Sequence, residues 1–123
     1  MRMKGKELQC AVTVGMSARE KGLLVAVARD LDVPYYLLMR RLVRYILDEK
    51  IEWTELFRQS NELIVEDELK STDKVFVRTQ LSTERYAAFA RLAEEWGSTM
   101  GIVLRRLMLL YIAEKIERHA IWY

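Results

Sequence analysis

Hydrophobic and polar residues alternate in two seven-residue stretches of the chain, 10–16 and 75–81. An alternation with a period of two predicts a β-strand that buries one face and leaves the other face free. The mainly apolar face consists of Cys10, Val12, Val14 and Met16 in the first stretch and of Val75, Val77, Thr79 and Leu81 in the second. The opposite face consists of Ala11, Thr13 and Gly15 in the first stretch and of Phe76, Arg78 and Gln80 in the second.

A helical pattern follows each predicted strand. Ser17 and Ser82 stand at its start and are favourable N-cap residues, and Glu20 has the spacing from Ser17 that a capping box requires. Apolar residues then recur at positions i, i+3, i+4 and i+7, which predicts an amphipathic helix in each case. They are Leu24, Val27, Ala28 and Leu31 in the first helix and Phe89, Leu92, Ala93 and Trp96 in the second.

A short break separates each of these helices from a further helix. In the later break, Gly97 suits a left-handed helix end and Thr99 suits the next N-cap. In the earlier break, Pro34 suits a first helical turn. The helices that follow, predicted over 35–50 and 100–118, are apolar over more than half of their circumference. Such helices are expected in the middle of an assembly.

The two patterns are copies of each other. One constant offset, which places Val12 on Val77, superimposes them without a gap and gives ten identities, including Arg40-Arg41-Leu42 with Arg105-Arg106-Leu107. The repeat indicates a tandem duplication. We call residues 1–52 the first unit, 74–123 the second unit and 53–73 the connector. The connector has no counterpart in the repeat, and its composition predicts a partly helical segment that packs on the outside.

Charge is unevenly distributed along the chain. The first and second units each carry a formal charge of +3, whereas the connector carries −4. Two mildly basic units are compatible with binding to nucleic acid but do not require it. In the connector, Glu66-Asp67-Glu68 is interpreted as a solvated face.

Several functional classes find no support in the sequence. The single cysteine, Cys10, cannot form an internal disulfide, and with the single histidine, His119, it cannot build a zinc site. We find no catalytic grouping and no pattern typical of a cofactor, metal or small-molecule site, so no enzyme is expected. The apolar runs are too short to cross a membrane and no apolar signal core follows the basic first residues. A cytoplasmic protein is therefore expected.

One unit alone could not form a stable domain, since a single strand leaves backbone groups unpaired and two short helices bury little surface. Two copies would pair their strands and close four helices beneath them. The order of strand, capped helix, break and second helix with an Arg-Arg pair resembles the ribbon-helix-helix family of transcription regulators. The resemblance covers residues 9–52 and 74–118. It implies a mainly α fold with a two-stranded antiparallel β-ribbon, in which two tandem units form an intramolecular pseudo-dimer. The tandem single-chain form is similar to regulators from viruses of hyperthermophilic archaea, and a viral protein would act in the host cytoplasm.

The resemblance also implies a mechanism in which the ribbon enters the major groove of double-stranded DNA. The outward residues that would read bases are Ala11, Thr13 and Gly15 on the first strand and Phe76, Arg78 and Gln80 on the second. Arg78 suits guanine, Gln80 suits adenine and Phe76 suits a thymine methyl group. On the first strand only Thr13 has a polar side chain. An asymmetric half-site is therefore expected.

Phosphate contacts are expected where the second helix of each unit begins, because free N–H groups there favour anions. In the second unit these residues are Ser98 and Thr99, with the amides of Met100 and Gly101. In the first unit Pro34 removes an N–H group, so Tyr35 and Tyr36 would have to contribute. Arg2, Lys4 and Lys6 would add a basic arm. The arginine pairs at 40–41 and 105–106 could contact phosphate, but a solvated or salt-bridged helix face is the favoured interpretation, and they are not included in the site.

The sequence therefore predicts a sequence-specific DNA-binding transcription regulator, most simply a repressor, whose chains associate further into dimers. An antitoxin of the same fold is an alternative, although a toxin-wrapping tail is missing. A helical module whose ribbon binds protein is an alternative from a different class.

Overall fold

Two β-strands and five α-helices make up the part of the chain that the computed structural model describes, residues 10–49, 52–64 and 74–122. In chain order they are β1 (Cys10–Met16), α1 (Ala18–Asp30), α2 (Tyr35–Glu49), α3 (Trp53–Asn61), β2 (Val75–Leu81), α4 (Thr83–Glu95) and α5 (Met100–Ile112). The prediction of a mainly α fold with a two-stranded sheet is confirmed. Among these described helices, none is long and apolar enough to cross a membrane.

The two strands form an antiparallel ribbon. Cys10 lies opposite Leu81 at one end, Thr13 lies opposite Arg78 at the centre, and Met16 is paired at the other end. The offset between the two units takes Thr13 to Arg78, so the central pair joins two equivalent positions of the repeat. The predicted alternation of faces is also observed. The buried strand residues are Val12, Val14, Met16, Val77, Thr79 and Leu81.

Side-chain caps begin α1 and α4 as the sequence predicts. The Glu20 amide donates to Ser17 Oγ and the Ser17 amide donates to Glu20 Oε1, each over 3.0 Å, which completes the capping box. In the second unit the Arg85 amide donates to Ser82 Oγ over 3.1 Å. Both helices contain 13 residues. They therefore leave the two ends of the ribbon in the same way.

Three helices end at a residue in the left-handed conformation: Asp32 (φ 60°), Gly97 (φ 67°) and Glu114 (φ 62°). The prediction for Gly97 is confirmed. The end predicted for α5 at residue 118 is wrong, because the helix stops at Ile112. After the turn at Glu114 the chain folds back, and Ile116 and Ile121 are buried in the core. Their burial in the core favours the early end of the helix.

The second helix of each unit lies beneath the strand of the other unit. α5 packs against β1 and α1, whereas α2 packs against β2 and α4, and α2 also contacts α5. One hydrophobic cluster takes residues from all of these elements. Its largest fully buried side chains include Phe89, Met16, Leu38, Leu42, Leu104, Leu107 and Tyr111. α3 packs against α5 and adds Leu56, which is 2% exposed.

Candidate nucleic-acid interface

The six residues predicted to read bases lie on one side of the ribbon. They form three cross-strand pairs, Ala11 with Gln80, Thr13 with Arg78 and Gly15 with Phe76. All are exposed except Gly15, which is half-buried. Each pair joins a smaller β1 side chain to a larger β2 side chain. The functional groups on this face therefore come mainly from β2.

Lys74 crosses the ribbon at the Gly15–Phe76 pair. Its ammonium group lies 5.4 Å from the centre of the Phe76 ring, a cation–π geometry, and a Cβ atom at Gly15 would come within 2.8 Å of Lys74 Cε. Gly15 is thus the residue that gives the lysine side chain room. Phe76 nevertheless remains 61% exposed, so a large part of its ring faces outward.

The start of α5 lies beside this end of the ribbon. Thr99 caps the helix, since its Oγ1 accepts a hydrogen bond from the Ile102 amide over 3.2 Å. The Ser98 amide donates to the Ala93 carbonyl over 2.9 Å and so closes α4. Of the two hydroxyl residues predicted to bind phosphate, Ser98 thus has its amide engaged. A Cβ atom at Gly101 would lie 3.2 Å from the Thr13 carbonyl oxygen, which shows how closely α5 approaches β1.

A cavity of about 450 Å³ opens between the ribbon and α5. It is lined by residues from β1, β2, the stretch that follows α3 and the first turns of α5. Phe76 and Thr99 both contribute to its walls. One base-reading candidate and one phosphate-binding candidate of the second unit therefore border the same recess.

The start of α2 lies at the other end of the ribbon and has a different character. The Tyr36 carbonyl accepts a hydrogen bond from Thr79 Oγ1 over 2.7 Å, which joins α2 to β2. The rings of Tyr35 and Tyr36 meet edge to face with their centres 6.3 Å apart, and Tyr36 is 46% exposed. Pro34 precedes this helix and has no N–H group. The helix start presents two aromatic rings, whereas α5 begins with a capping hydroxyl.

Arg40, which the sequence assigned to a solvated or salt-bridged helix face, lies next to these tyrosines. Its Nε donates to the Gln80 carbonyl over 3.2 Å, and its guanidinium lies 5.8 Å from the centre of the Tyr36 ring. It is therefore held against the strand that carries the predicted adenine-reading residue. The predicted basic arm, Arg2, Lys4 and Lys6, lies outside the described residues.

Arg41 is surrounded by other arginines. Its guanidinium lies 5.2 Å from the centre of the Trp122 ring. Partial burial lowers the pKa of Arg41, and the positive charges of Arg44, Arg85 and Arg40 lower it further. This grouping of arginines from α2 and α4 was not predicted. The signal that could have revealed it is the arginine at position 85, where the first unit has Glu20.

Arg105 and Arg106, by contrast, stabilise the interior. Arg105 donates from Nε and Nη2 to the two carboxylate oxygens of Glu20, over 3.1 and 2.6 Å, and Glu20 is fully buried. Arg106 donates to Ser60 Oγ over 2.7 Å and lies 3.6 Å from the centre of the Phe57 ring. Burial, followed by the charge of Arg105, lowers the pKa of Arg106. The interpretation as a salt bridge therefore applies to Arg105, whereas Arg106 is hydrogen-bonded to α3.

No protein family, no curated protein and no solved structure matches this chain. What the ribbon binds must therefore be inferred from its own residues. Within residues 10–49, 52–64 and 74–122, no group of three side chains has the composition of a metal site.

Proposed function

We propose that this protein is a sequence-specific double-stranded DNA-binding transcription regulator that inserts its ribbon into the major groove. The observation that carries the proposal is the ribbon itself. It is a two-stranded sheet covered by helices on one face only, and it exposes Arg78 and Gln80 on the other. The major groove of B-DNA, about 12 Å wide, admits such a ribbon and displays a distinct pattern of donors and acceptors for each base pair.

The two units, in this proposal, form a pseudo-dimer with an approximate two-fold axis through the Thr13–Arg78 pair. Three observations support this arrangement. The pair at the centre of the ribbon joins positions that the repeat makes equivalent. α1 and α4 have the same length and begin at equivalent positions of the repeat, and α2 and α5 also begin at equivalent positions. Each strand also packs on the second helix of the other unit.

Base recognition is assigned mainly to β2. Arg78 would donate two hydrogen bonds to guanine O6 and N7, Gln80 would pair with adenine N6 and N7, and the exposed part of the Phe76 ring would contact a thymine methyl group. On β1 only Thr13 would add a polar contact, with Ala11 and Gly15 giving little beyond shape. The resulting half-site is asymmetric.

Phosphate contacts would hold the ribbon in the groove. On the second-unit side they would come from Thr99 and the amides that begin α5, where the helix dipole favours an anion. On the first-unit side Tyr35 and Tyr36 occupy the corresponding place. The basic residues Arg2, Lys4 and Lys6 would add sequence-independent attraction.

Occupancy of a promoter by this protein would block transcription, so we propose a repressor. Because a single ribbon offers few base contacts, two chains are expected to associate on an operator. The exposed apolar side chains of Phe76 and Ile102 favour a second candidate function, in which the same ribbon binds a protein.

Binding to DNA at two salt concentrations separates these functions. Labelled duplexes of mixed sequence would be titrated with the full chain at about 50 and 200 mM salt, and the affinity is expected to fall steeply because bound phosphates release counterions. A protein that makes six phosphate contacts loses roughly a thousandfold over this range. Absence of salt-dependent binding would contradict the proposed function.

A further inference from the structure

The two ends of the ribbon differ in charge because of one position in the repeat. Glu20 is the third residue of α1, and the offset between the units makes Arg85 its counterpart in α4. The same offset relates Arg40 in α2 to Arg105 in α5. A carboxylate therefore faces an arginine in one half, whereas two arginines occupy the corresponding positions in the other half.

At the Gly15–Phe76 end the charge of Arg105 is neutralised. This residue is 9% exposed, and its guanidinium makes a bidentate ion pair with Glu20. The guanidinium and the carboxylate thus neutralise each other's charge inside the protein. At this end the ammonium group of Lys74, Thr99 and the start of α5 remain available to an anion.

At the Ala11–Gln80 end Arg40, Arg41 and Arg85 have no such partner among the described residues. In the described part of the chain, no carboxylate forms an ion pair with Arg40, Arg41 or Arg85. Arg40 is instead fixed by the Gln80 carbonyl and the Tyr36 ring, and Arg41 lies over Trp122. Burial and the three neighbouring arginines lower the pKa of Arg41. Arg40, Arg41 and Arg85 therefore concentrate positive charge that no carboxylate of the described residues neutralises.

Guanidinium groups suit phosphate well. Each presents a planar set of donors that can bind two phosphate oxygens at once, and a nearby anion relieves the repulsion between like charges. Arg40 is already oriented by the backbone carbonyl of Gln80, which is itself assigned to base reading. This is also the end where Pro34 deprives α2 of an amide donor.

We propose that Arg40, Arg41 and Arg85 form an arginine clamp for the phosphates of the DNA backbone at the Ala11–Gln80 end of the ribbon. The clamp rests on the proposed DNA-binding function and specifies how the first-unit side is held. Guanidinium groups bind the backbone there, whereas a capped helix start binds it on the other side. The protein consequently grips its two flanking backbone segments by different chemistry.

The substitution R85E tests the clamp, because it gives the second unit the residue that the first unit has. The new carboxylate would be placed to pair with Arg40 as Glu20 pairs with Arg105, so the melting temperature should not fall. The clamp would lose two positive groups, because Arg85 is removed and Arg40 is neutralised. The matched control is R91E, which makes the same charge change at an exposed position of the same helix.

Affinity for duplex DNA would be measured for both variants and the unaltered chain over a series of salt concentrations. The clamp predicts that R85E lowers the slope of log affinity against log salt by about two, equally for specific and mixed sequences, and that R91E leaves it unchanged. Equal slopes for R85E and R91E would overturn the clamp. If R85E does not fold, R85A and R91A make the same comparison with an expected change of about one.

The proposed function and the clamp can fail separately. If the unaltered chain binds no DNA, both the proposed function and the clamp are wrong. If the unaltered chain binds with a steep salt dependence and the two variants behave alike, only the clamp is wrong.

Discussion

Arg78 occupies the centre of the exposed ribbon face, opposite Thr13. Substitution R78A is expected to remove about 1 to 3 kcal/mol of discrimination at one base pair and to leave non-specific affinity largely intact. The measurement is competition between the selected operator and its single-base variants. The control is T13A, which alters the other member of the same pair and should have a smaller effect. An unchanged base preference in R78A would show that this face does not read DNA.

Glu20 has two structural roles, since the same carboxylate caps α1 and pairs with Arg105. Substitution E20A should lower the free energy of unfolding by about 3 kcal/mol, because it leaves a buried guanidinium without its counterion. Denaturation in urea measures this loss. The matched variant E84A, in the exposed first turn of α4, should change the stability by less than about 0.5 kcal/mol. Similar losses in both variants would contradict the importance of the buried pair.

At the scale of the elements, the same substitution should have opposite effects in two helices. Gly97 ends α4 with φ 67°, where a side chain is strained, so G97A should reduce stability by about 1 kcal/mol. Gly22 lies within α1, and a Cβ atom there would meet no atom within 4 Å. G22A should therefore increase stability by about 0.5 to 1 kcal/mol. Urea denaturation of both variants measures the signs, and a stabilised G97A would refute the role given to the turn.

The strands and the helix starts could be predicted because their signals are local. A period of two assigned every residue of β1 and β2 to a face, and Ser17 with Glu20 announced a capping box within four residues of sequence. The end of α5 gave no such signal. Glu114 takes a left-handed conformation, for which a glycine would have been the usual sequence signal. The helix ends there because residues farther along the chain pack into the core.

The roles of the arginines depend on contacts between distant parts of the sequence. Glu20 and Arg105 are separated by 85 positions, and Arg40 meets the Gln80 carbonyl across 40 positions. No rule of local spacing relates such residues. The candidate base-reading residues were easier to identify, since the exposed face of each strand follows from the alternation alone.

At the scale of the whole molecule, the proposed function and the unequal faces of β1 and β2 together predict an operator half-site without palindromic symmetry. Selection of bound sequences from a random pool of duplexes should yield strong base preferences on one side of the site and weak preferences on the other. Two chains bound side by side would appear as two copies of this half-site. A short palindrome within one half-site would contradict the assignment of base reading to β2.

The buried ion pair between α1 and α5 has a consequence for which halves can associate. Under the proposed two-fold arrangement, two second units brought together would set Arg85 against Arg105 at both ends of a shared ribbon, an arrangement with repulsion and no counterion. A first unit facing a second unit gains the attraction of Glu20 for Arg105 at one end and keeps Arg40 near Arg85 at the other. Two first units would set Glu20 against Arg40 at both ends, so a separated first unit is expected to pair with itself more readily than a separated second unit does.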